Sequence, residues 1–219
     1  MIYDLGTIDY QNCRAIQREL VDKRKSDEIG DVVILAEHQA VFTIGRSGSR
    51  DNLLVTEDYL KEMGVSVVNA DRGGDITFHG PGQLVVYPIV DLKKRYRDLH
   101  RYLRDLEDVC INFLSEYQVA GHRIAGRTGV WVDNKKIAFI GIGSSNWVTF
   151  HGLSININTG LDYFSMMRPC GLRGIEITSL SEIMRMKIDM ESAKQKVIRQ
   201  LGSVFAKRIE ANEYASAMA

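Results

Sequence analysis

The hydrophobic positions of this chain recur with two different periods, which predict helices in some segments and strands in others. Cys13, Ile16 and Leu20 fall at helical spacing and predict a first helix that ends near the charged run DKRKSDE. A longer apolar stripe from Leu99 to Tyr117 recurs every three or four residues. It predicts an amphipathic helix that packs one face on a core and presents a charged face on the other side.

Capping signals and periodicity predict three further helices. Thr56 stands before two acidic residues and Gly64 comes shortly after them, which is typical of the start and the end of a short helix. Ser179 and Glu182 form a capping-box pattern at the start of another. A last helix should begin at Asp189 and turn its apolar residues inward, namely Met190, Ala193, Val197, Leu201 and Val204.

Apolar runs bounded by turn residues predict the strands. Asp133 and Asn134 separate GVWV from KIAFIGI and predict a hairpin, because both residue types tolerate a positive φ. The other predicted strands are residues 2–5, DVVILAE, AVFTIG, VSVVN, QLVVYPIV and WVTFHGLSININ. Helices and strands mix without a regular βαβ rhythm, so we expect an α+β fold with a mixed β-sheet flanked by helices. No linker or repeat divides residues 1–219, so a single domain is expected, with a frayed tail at about residues 211–219.

The composition narrows the class of protein. Hydrophobic residues make up 45% and charged residues 26% of the 219, as in an average globular protein. Lys+Arg and Asp+Glu are both 28, and this balance argues against attraction of the whole molecule to nucleic acid or to an anionic membrane. The apolar runs are too short to span a bilayer, and MIYDLGTIDYQ has no secretory-signal pattern. We therefore expect a cytoplasmic protein.

A locally basic run, KKRYRDLHRYLR, has two interpretations. Four acidic residues share its helix, which favours a solvated face of mixed charge: Asp98, Asp105, Glu107 and Asp108. The alternative is a docking patch for an acidic partner.

The segment DRGGDITFHGPGQ combines four glycines with Arg72 and His79. Glycines let backbone N–H groups face a ligand, and the following strand would anchor the loop to the sheet. The segment has neither the G-K-[ST] of a phosphate loop nor a dinucleotide fingerprint that opens a helix. Two consecutive tight turns are the alternative interpretation, although turns do not need Arg72 or His79.

The three cysteines differ in their contexts. Cys13 and Cys110 lie on apolar helical stripes and are expected to be small core residues. Cys170 stands in RPCGLRG outside any periodic pattern, where a thiol can be presented to a substrate or can simply be a buried loop residue. A nucleophilic cysteine needs a neighbouring cation or base. With no C-x-x-C pair, a disulfide framework or a cysteine zinc site is not expected.

Lysine and histidine are the candidate partners of such a thiol. Strand alternation places Lys136 on the face of Ala138 and Ile140, opposite Phe139, where an ammonium cannot stay fully solvated. A surface lysine is the alternative, and it is favoured for the neighbouring Lys135.

Alternation also places one histidine among apolar residues, because His151 shares its strand face with Leu153, Ile155 and Ile157. This position is typical of a hydrogen-bonded core histidine. No pair of histidines has the short spacing of a metal site, so we expect no metal.

Taken together, four segments resemble successive signatures of the lipoyl(octanoyl) transferases, namely RGGDITFHGPGQLVVYPIVDL, GVWVDNKKIAFIGI, FHGLSININ and RPCGLRGIEITSL. ILAEHQAVFTIGRSG is similar to the first block of that family, so the likeness extends over about residues 33–180. Gln39 and Ala40 depart from the family, which often has prolines there.

The resemblance implies a fold like that of biotin and lipoate protein ligases, and a Cys/Lys dyad of Cys170 and Lys136 that works without a cofactor. It also implies a substrate pocket lined by Arg72, Gly73, Gly74, Asp75, Ile76, Thr77, Phe78, His79, Phe139, Ile140, Gly141, Gly152, Leu153 and Ser154. Backbone N–H groups near Gly141, Gly74 or Cys170 are candidate oxyanion donors.

The implied activity is transfer of an octanoyl group from acyl carrier protein to a lysine of a lipoyl domain, through a cysteine thioester, in lipoate biosynthesis. The implied acceptors are the lipoyl domains of 2-oxoacid dehydrogenase complexes and the glycine cleavage H protein, and the enzyme is expected to be a monomer. One alternative is an ATP-dependent lipoate or biotin protein ligase on the same fold. Another is a non-catalytic protein that binds acylated lipoyl domains.

Overall fold

Two β-sheets form the centre of the protein, seen in a computed structural model that describes residues 1–168 and 175–217, with side chains through residue 206. In chain order the strands are β1 (Ile2–Ile8), β2 (Val32–His38), β3 (Val41–Ile44), β4 (Ser66–Asn69), β5 (Ile76–His79), β6 (Gln83–Ile89), β7 (His122–Ile124), β8 (Arg127–Val132), β9 (Lys135–Ser145), β10 (Val148–Asn156) and β11 (Glu176–Ile177). The larger sheet has the order β1-β2-β6-β10-β9-β8-β7, with β11 beside β9. Its β1–β2 and β9–β11 pairs are parallel and its other pairs antiparallel, which confirms the predicted mixed sheet.

The smaller sheet, β4-β3-β5, contains a strand that the sequence analysis did not predict. β5 lies inside the glycine-rich segment and pairs antiparallel with β3. Its residues Ile76 and Phe78 are 2% and 1% exposed, so they contribute to a core rather than to a loop. The strand was not predicted because it has only four residues and lies between glycines, which are typical of turns.

Helices cover both faces of the larger sheet. They are α1 (Tyr10–Lys25), α3 (Leu99–Ser115), α4 (Leu180–Met184) and α5 (Met190–Ala217), while α2 (Glu57–Glu62) packs on the smaller sheet. Along β6 the residues alternate between two cores, with Val85 and Tyr87 packed on the side of α1 and Leu84 and Val86 on the side of α3 and α5. Within the described residues, no helix is both long enough and apolar enough to cross a membrane.

The predicted helix caps are present. The Thr56 side chain accepts a hydrogen bond from the Tyr59 N–H, and the Ser179 side chain accepts one from the Glu182 N–H. The capping box is only half formed, however, because the Glu182 carboxylate accepts a hydrogen bond from the Thr178 hydroxyl at 2.9 Å.

The prediction that the acidic residues of this helix lie on a solvated face is wrong for two of them. Asp105 and Glu107 of α3 are both 0% exposed. Asp105 accepts a hydrogen bond from the Tyr96 hydroxyl, and Glu107 pairs with two arginines. The basic run that precedes and opens this helix is also partly neutralised, since Lys94 pairs with Asp27. Patterning along one helix could not reveal these partners because most of them lie on other elements.

A β-bulge changes the predicted orientation of Lys136. The β8–β9 register shifts so that Val130 faces Ala138 while Trp131 faces Lys136, which leaves Ile137 as an extra residue on β9. Ile137 and Ala138 therefore both pack in the core beside α3. Contrary to simple alternation, the Lys136 side chain shares the face of Phe139.

The prediction for the face of His151 is wrong for a related reason. His151 has a φ of +55°, and its ring lies near Tyr87 and Phe150 on the α1 side of the sheet. Leu153 and Ile155 belong to the opposite core, beside α3. The left-handed backbone turns the imidazole away from the apolar residues with which alternation had grouped it.

We expect Leu106→Ala to lower the free energy of unfolding by about 2–5 kcal/mol, because Leu106 is 0% exposed in the core under α3 and its loss leaves a cavity. Urea denaturation measures the change. Ser115→Ala, at the exposed end of the same helix, is the control and should change stability by no more than about 0.5 kcal/mol. Equal losses in the two variants would contradict the assigned core.

Candidate active site

A cavity of about 480 Å³ brings together most of the residues that the sequence analysis assigned to the site. The predicted residues that line it are Arg72, Gly73, Gly74, Asp75, Ile76, Thr77, His79, Lys136, Phe139, Ile140, Gly141, Gly152, Leu153 and Ser154. Phe78 is not among the lining residues, because it packs between Phe42 and Tyr163 in the core of the smaller sheet. Cys170 lies outside the described residues.

The cavity is also lined by residues that were not predicted from the sequence. They are Tyr10, Ser47, Val85, Tyr87, Leu103, Gly126, Arg127, Thr128, Trp131, Ile142, His151 and Ile175. Tyr10 opens α1 and Leu103 lies on α3, so elements far apart in sequence supply these walls. The apolar stripe of α3 included Leu103 but carried no sign that it faced a cavity.

The glycine-rich loop is held against both sheets around a buried arginine. Arg72 is 7% exposed, and its guanidinium donates to the Thr43 carbonyl at 2.6 Å and to the Gly73 carbonyl at 3.0 Å. The Gly73 N–H donates to the Ile142 carbonyl at 2.8 Å. A Cβ at Gly141 would lie 3.0 Å from the Gly73 oxygen, so the close approach of loop and strand favours glycine there.

Lys136 enters the cavity as a buried side chain, 3% exposed. Its Nζ donates to the Thr128 carbonyl at 2.9 Å and lies 4.7 Å from the ring centroid of Phe139 and 5.1 Å from that of Trp131. A carbonyl oxygen and aromatic faces both stabilise an ammonium. Lys135 points elsewhere, 43% exposed, with Glu182 at 3.5 Å.

Another wall of the cavity consists of aromatic and imidazole rings, with His38 packed against them: Tyr10, Tyr87, His79 and His151. Tyr10 stacks between His79 and His151, with centroids at 5.9 and 6.5 Å. His38 Nδ1 donates to the Ile8 carbonyl at 2.9 Å, so its Nε2 accepts from the Tyr87 hydroxyl at 2.7 Å.

Burial lowers the pKa of all three of these histidines. Their imidazoles are therefore neutral at physiological pH. This wall contributes hydrogen-bonding groups to the cavity rather than imidazolium charge.

A carboxylate fixes the orientation of His151. Its Nε2 donates to Asp71 Oδ1 at 2.8 Å, and Arg14 approaches the same oxygen at 3.1 Å. The hydrogen bond from His151 holds the pKa of Asp71 well below its ordinary value. Asp71 links the cavity wall to α1, an association that neither residue's sequence context indicated.

Two hydroxyl groups of the cavity have no hydrogen-bond partner among the described residues. They belong to Tyr10, 3% exposed, and Thr77, 7% exposed. Buried hydroxyls are costly without a partner.

The chain matches the model of the lipoyl protein ligase A/B catalytic domain over residues 9–202. The chain belongs to this family. It is 45% identical over 197 residues to an octanoyltransferase of Geobacter metallireducens, a match covering 90% of this chain and 89% of that protein. It is 46% identical over 196 residues to an octanoyltransferase of Rubrobacter xylanophilus, covering 88% and 87%. The resemblance drawn from the sequence motifs is thus confirmed.

Solved structures of the ligase fold are similar to this family member. A lipoate-protein ligase A bound with ATP matches with a TM-score of 0.73 at 14% identity, covering 93% of this chain and 84% of the other. A biotin protein ligase from Aquifex aeolicus matches with a TM-score of 0.61 at 15% identity, covering 95% and 72%. These matches confirm the predicted fold class.

We expect Asp71→Asn to lower the free energy of unfolding at pH 7 by about 1–3 kcal/mol, the scale of hydrogen bonds to a charged group. Because the pKa of Asp71 is depressed in the folded protein, its stabilising effect is complete above the ordinary carboxyl pKa of about 4 and is lost as the pH falls toward the depressed value.

Urea denaturation at pH 7 and pH 3 should therefore show a smaller difference between wild type and variant at pH 3. Asp133→Asn, in an exposed turn, is the control. A difference that grows toward low pH would contradict the assigned ionisation of Asp71.

Proposed function

We propose that this family member is an octanoyltransferase of lipoate biosynthesis that carries the acyl group on Cys170. The observation that supports it most directly is the cavity itself, where a buried lysine meets an apolar wall large enough for a medium-length acyl chain. The names of the relatives, octanoyltransferases at 45% and 46% identity, agree with this activity.

The apolar part of the cavity provides the affinity for the acyl chain. Leu103, Trp131, Phe139, Ile140 and Leu153 line it. At about 0.8 kcal/mol per methylene, an octanoyl chain gains on the order of 5 kcal/mol from burial. A lipoyl protein ligase uses the same fold to hold a similar chain, so the reaction must be decided by the groups near the acyl carbon.

In the first half-reaction, Lys136 takes the proton of the Cys170 thiol, and the thiolate attacks the carbonyl carbon of the octanoyl thioester on acyl carrier protein. The tetrahedral intermediate collapses with cleavage of the carbon–sulfur bond to the phosphopantetheine arm. The Lys136 ammonium returns its proton to the departing thiolate, which leaves an octanoyl-Cys170 thioester and a neutral lysine.

In the second half-reaction, the ε-amino group of the acceptor lysine attacks the octanoyl-Cys170 carbonyl, and neutral Lys136 accepts the proton that the amine loses. The amide forms as the carbon–sulfur bond to Cys170 breaks, and the Cys170 thiol regains a proton. Backbone N–H groups of Gly74, Gly141 or Cys170 stabilise the oxyanion in both halves. Gly74 lies on the cavity with a φ of +82°, a conformation that suits glycine.

The family indicates lipoyl domains as the acceptors. We propose acyl carrier protein as the donor, with lipoyl domains of 2-oxoacid dehydrogenase complexes and the glycine cleavage H protein as acceptors. The formal net charge of +0 gives no general attraction to nucleic acid or to membranes. The enzyme is proposed to act in the cytoplasm as a monomer with a single catalytic domain.

Cys170→Ala should abolish the gain of one octanoyl mass when the protein is mixed with octanoyl acyl carrier protein, because no thioester can form. Intact-protein mass spectrometry measures the gain. Cys13→Ala is the matched control, since Cys13 is buried among the residues of α1 and should not carry the acyl group.

Two outcomes would contradict the covalent mechanism. One is full transfer to a lipoyl domain by Cys170→Ala. The other is an absolute requirement for ATP with free octanoate or lipoate, which would identify an ATP-dependent ligase. Binding of acylated lipoyl domains with neither reaction would identify a non-catalytic protein.

Lys136→Ala should raise the pH at which Cys170 reacts with iodoacetamide, because a nearby ammonium stabilises the thiolate. A tenfold change in the acid dissociation constant of the thiol corresponds to about 1.4 kcal/mol. The modification is followed on the Cys170 peptide by mass spectrometry.

Lys135→Ala is the control, because Lys135 is partly exposed beside Glu182 and should leave the profile unchanged. Lys136→Arg should retain some thiolate but little transfer, since a guanidinium does not act as a base at this pH. An unchanged profile in folded Lys136→Ala would reject the dyad and direct attention to His79.

A further inference from the structure

A single peptide unit joins the buried lysine of the cavity to a buried glutamate on α3. Lys136 Nζ donates to the carbonyl oxygen of Thr128 at 2.9 Å. The N–H of the same peptide bond belongs to Gly129, and it donates to Glu107 Oε1 at 3.0 Å. The amino group of Lys136 and the carboxylate of Glu107 thus lie at opposite ends of one amide dipole.

This arrangement strengthens both hydrogen bonds. A carboxylate at the N–H end increases the negative charge on the carbonyl oxygen, and an ammonium at the carbonyl end increases the positive charge on the N–H. The effect is larger in a buried site than in water, because the low local dielectric screens it less. Glu107 is 0% exposed and Lys136 3% exposed.

Glu107 contacts the Thr128–Gly129 peptide from the α3 side of the sheet. The pairing of β8 with β9 extends from Val132 only as far as Val130, so this peptide lies beyond the residues paired with β9, while β8 pairs with β7 at Arg127 and Trp131. Gly129 has a φ of +133°, and a Cβ there would lie 2.6 Å from Lys136 Cε. Glycine at position 129 therefore lets the aliphatic part of the Lys136 side chain pack directly against the backbone.

The charge of Glu107 is itself supported. Arg104, one turn earlier on α3, approaches Oε2 at 2.6 Å, and Arg123 of β7 approaches the same oxygen at 2.7 Å. Oε1 accepts from Gly129. Two guanidinium groups therefore lie against one oxygen of Glu107 and leave its other oxygen for the Gly129 N–H.

Other ionisable groups lie close to the two ends of this chain of hydrogen bonds. Cys110 lies near Glu107, and burial raises the pKa of its thiol, so it stays uncharged. On the cavity side the described charged groups that share the lining with Lys136 are Arg72, Asp75 and Arg127, and the histidines are His79 and His151. Lys135 and Glu176 flank the start of β9.

We propose that Glu107 is a positioning residue for Lys136, acting through the Thr128–Gly129 peptide to hold the lysine in place as an ammonium. The inference rests on the proposed function, in which that ammonium favours the Cys170 thiolate. Asp105, equally buried on the same helix, contacts Tyr96 instead. Of these two buried carboxylates of α3, Glu107 is therefore the one that contacts the Thr128–Gly129 peptide.

The test uses Glu107→Gln, which retains a side-chain oxygen for the Gly129 N–H but loses the charge. The variant should move the iodoacetamide profile of Cys170 to higher pH and lower the rate of octanoyl-enzyme formation about threefold, which corresponds to a rise of about 0.5 in the pKa of the thiol. KM for the acyl carrier protein should not change, because Glu107 does not touch the cavity.

Asp108→Asn is the matched control on the same helix. Asp108 pairs with Arg123 at 2.7 Å, as Glu107 does, but the contact to Gly129 belongs to Glu107. The Asp108→Asn variant should therefore leave the iodoacetamide profile of Cys170 and the rate of octanoyl-enzyme formation unchanged. Glu107→Asp keeps the charge but shortens the side chain by one methylene, so it should also move the iodoacetamide profile of Cys170 to higher pH. This variant replaces Glu107→Gln in the test if Glu107→Gln does not fold.

The outcomes separate this inference from the proposed function. If Lys136→Ala moves the profile and folded Glu107→Gln does not, the role of Glu107 is rejected while the dyad stands. If Lys136→Ala changes nothing, the dyad itself fails. Equal changes in Glu107→Gln and Asp108→Asn would show a general effect of loosening α3 from β7 and would also overturn the inference.

Discussion

A buried amino group must be given hydrogen-bond acceptors by the surrounding backbone, and this requirement shapes the centre of the protein. Lys136 is nearly inaccessible to solvent, yet it keeps a carbonyl oxygen at 2.9 Å and two aromatic faces at about 5 Å. The bulge at Ile137 supplies the geometry, because it turns Lys136 to the cavity while both following side chains stay in the core. The cost of desolvating the amino group is therefore offset within a few residues of the hairpin.

The wall of aromatic and imidazole rings carries no imidazolium charge. Its histidines, His79 and His151, and the adjoining His38 are buried and neutral, and each is oriented by a hydrogen bond: His38 by Ile8, His79 by Gln83, and His151 by Asp71. Because these rings carry no charge, they do not compete electrostatically with Lys136 for an anionic group.

Much of the fold could be predicted from local patterns, and the parts that could not depend on long-range contacts. Caps at Thr56 and Ser179 and the stripe of α3 are encoded by neighbouring residues, so the sequence was sufficient for them. The faces of Lys136 and His151 depend on one bulge and one left-handed residue, which alternation cannot detect. Most cavity residues came from motif resemblance, whereas Tyr10, Leu103 and Trp131 reach the cavity through tertiary packing alone.

The shared fold explains why chemistry in this family must be decided by a few contacts. At 14% identity the lipoate-protein ligase shares the fold of this chain, and a fold by itself does not specify the reaction. In this chain the sheet also carries a feature that links helix packing to the cavity: a carboxylate of α3 is bonded to the same peptide as Lys136. Since α3 buries Glu107 with the core that supports β9, the position of the lysine is coupled to the packing of the whole layer.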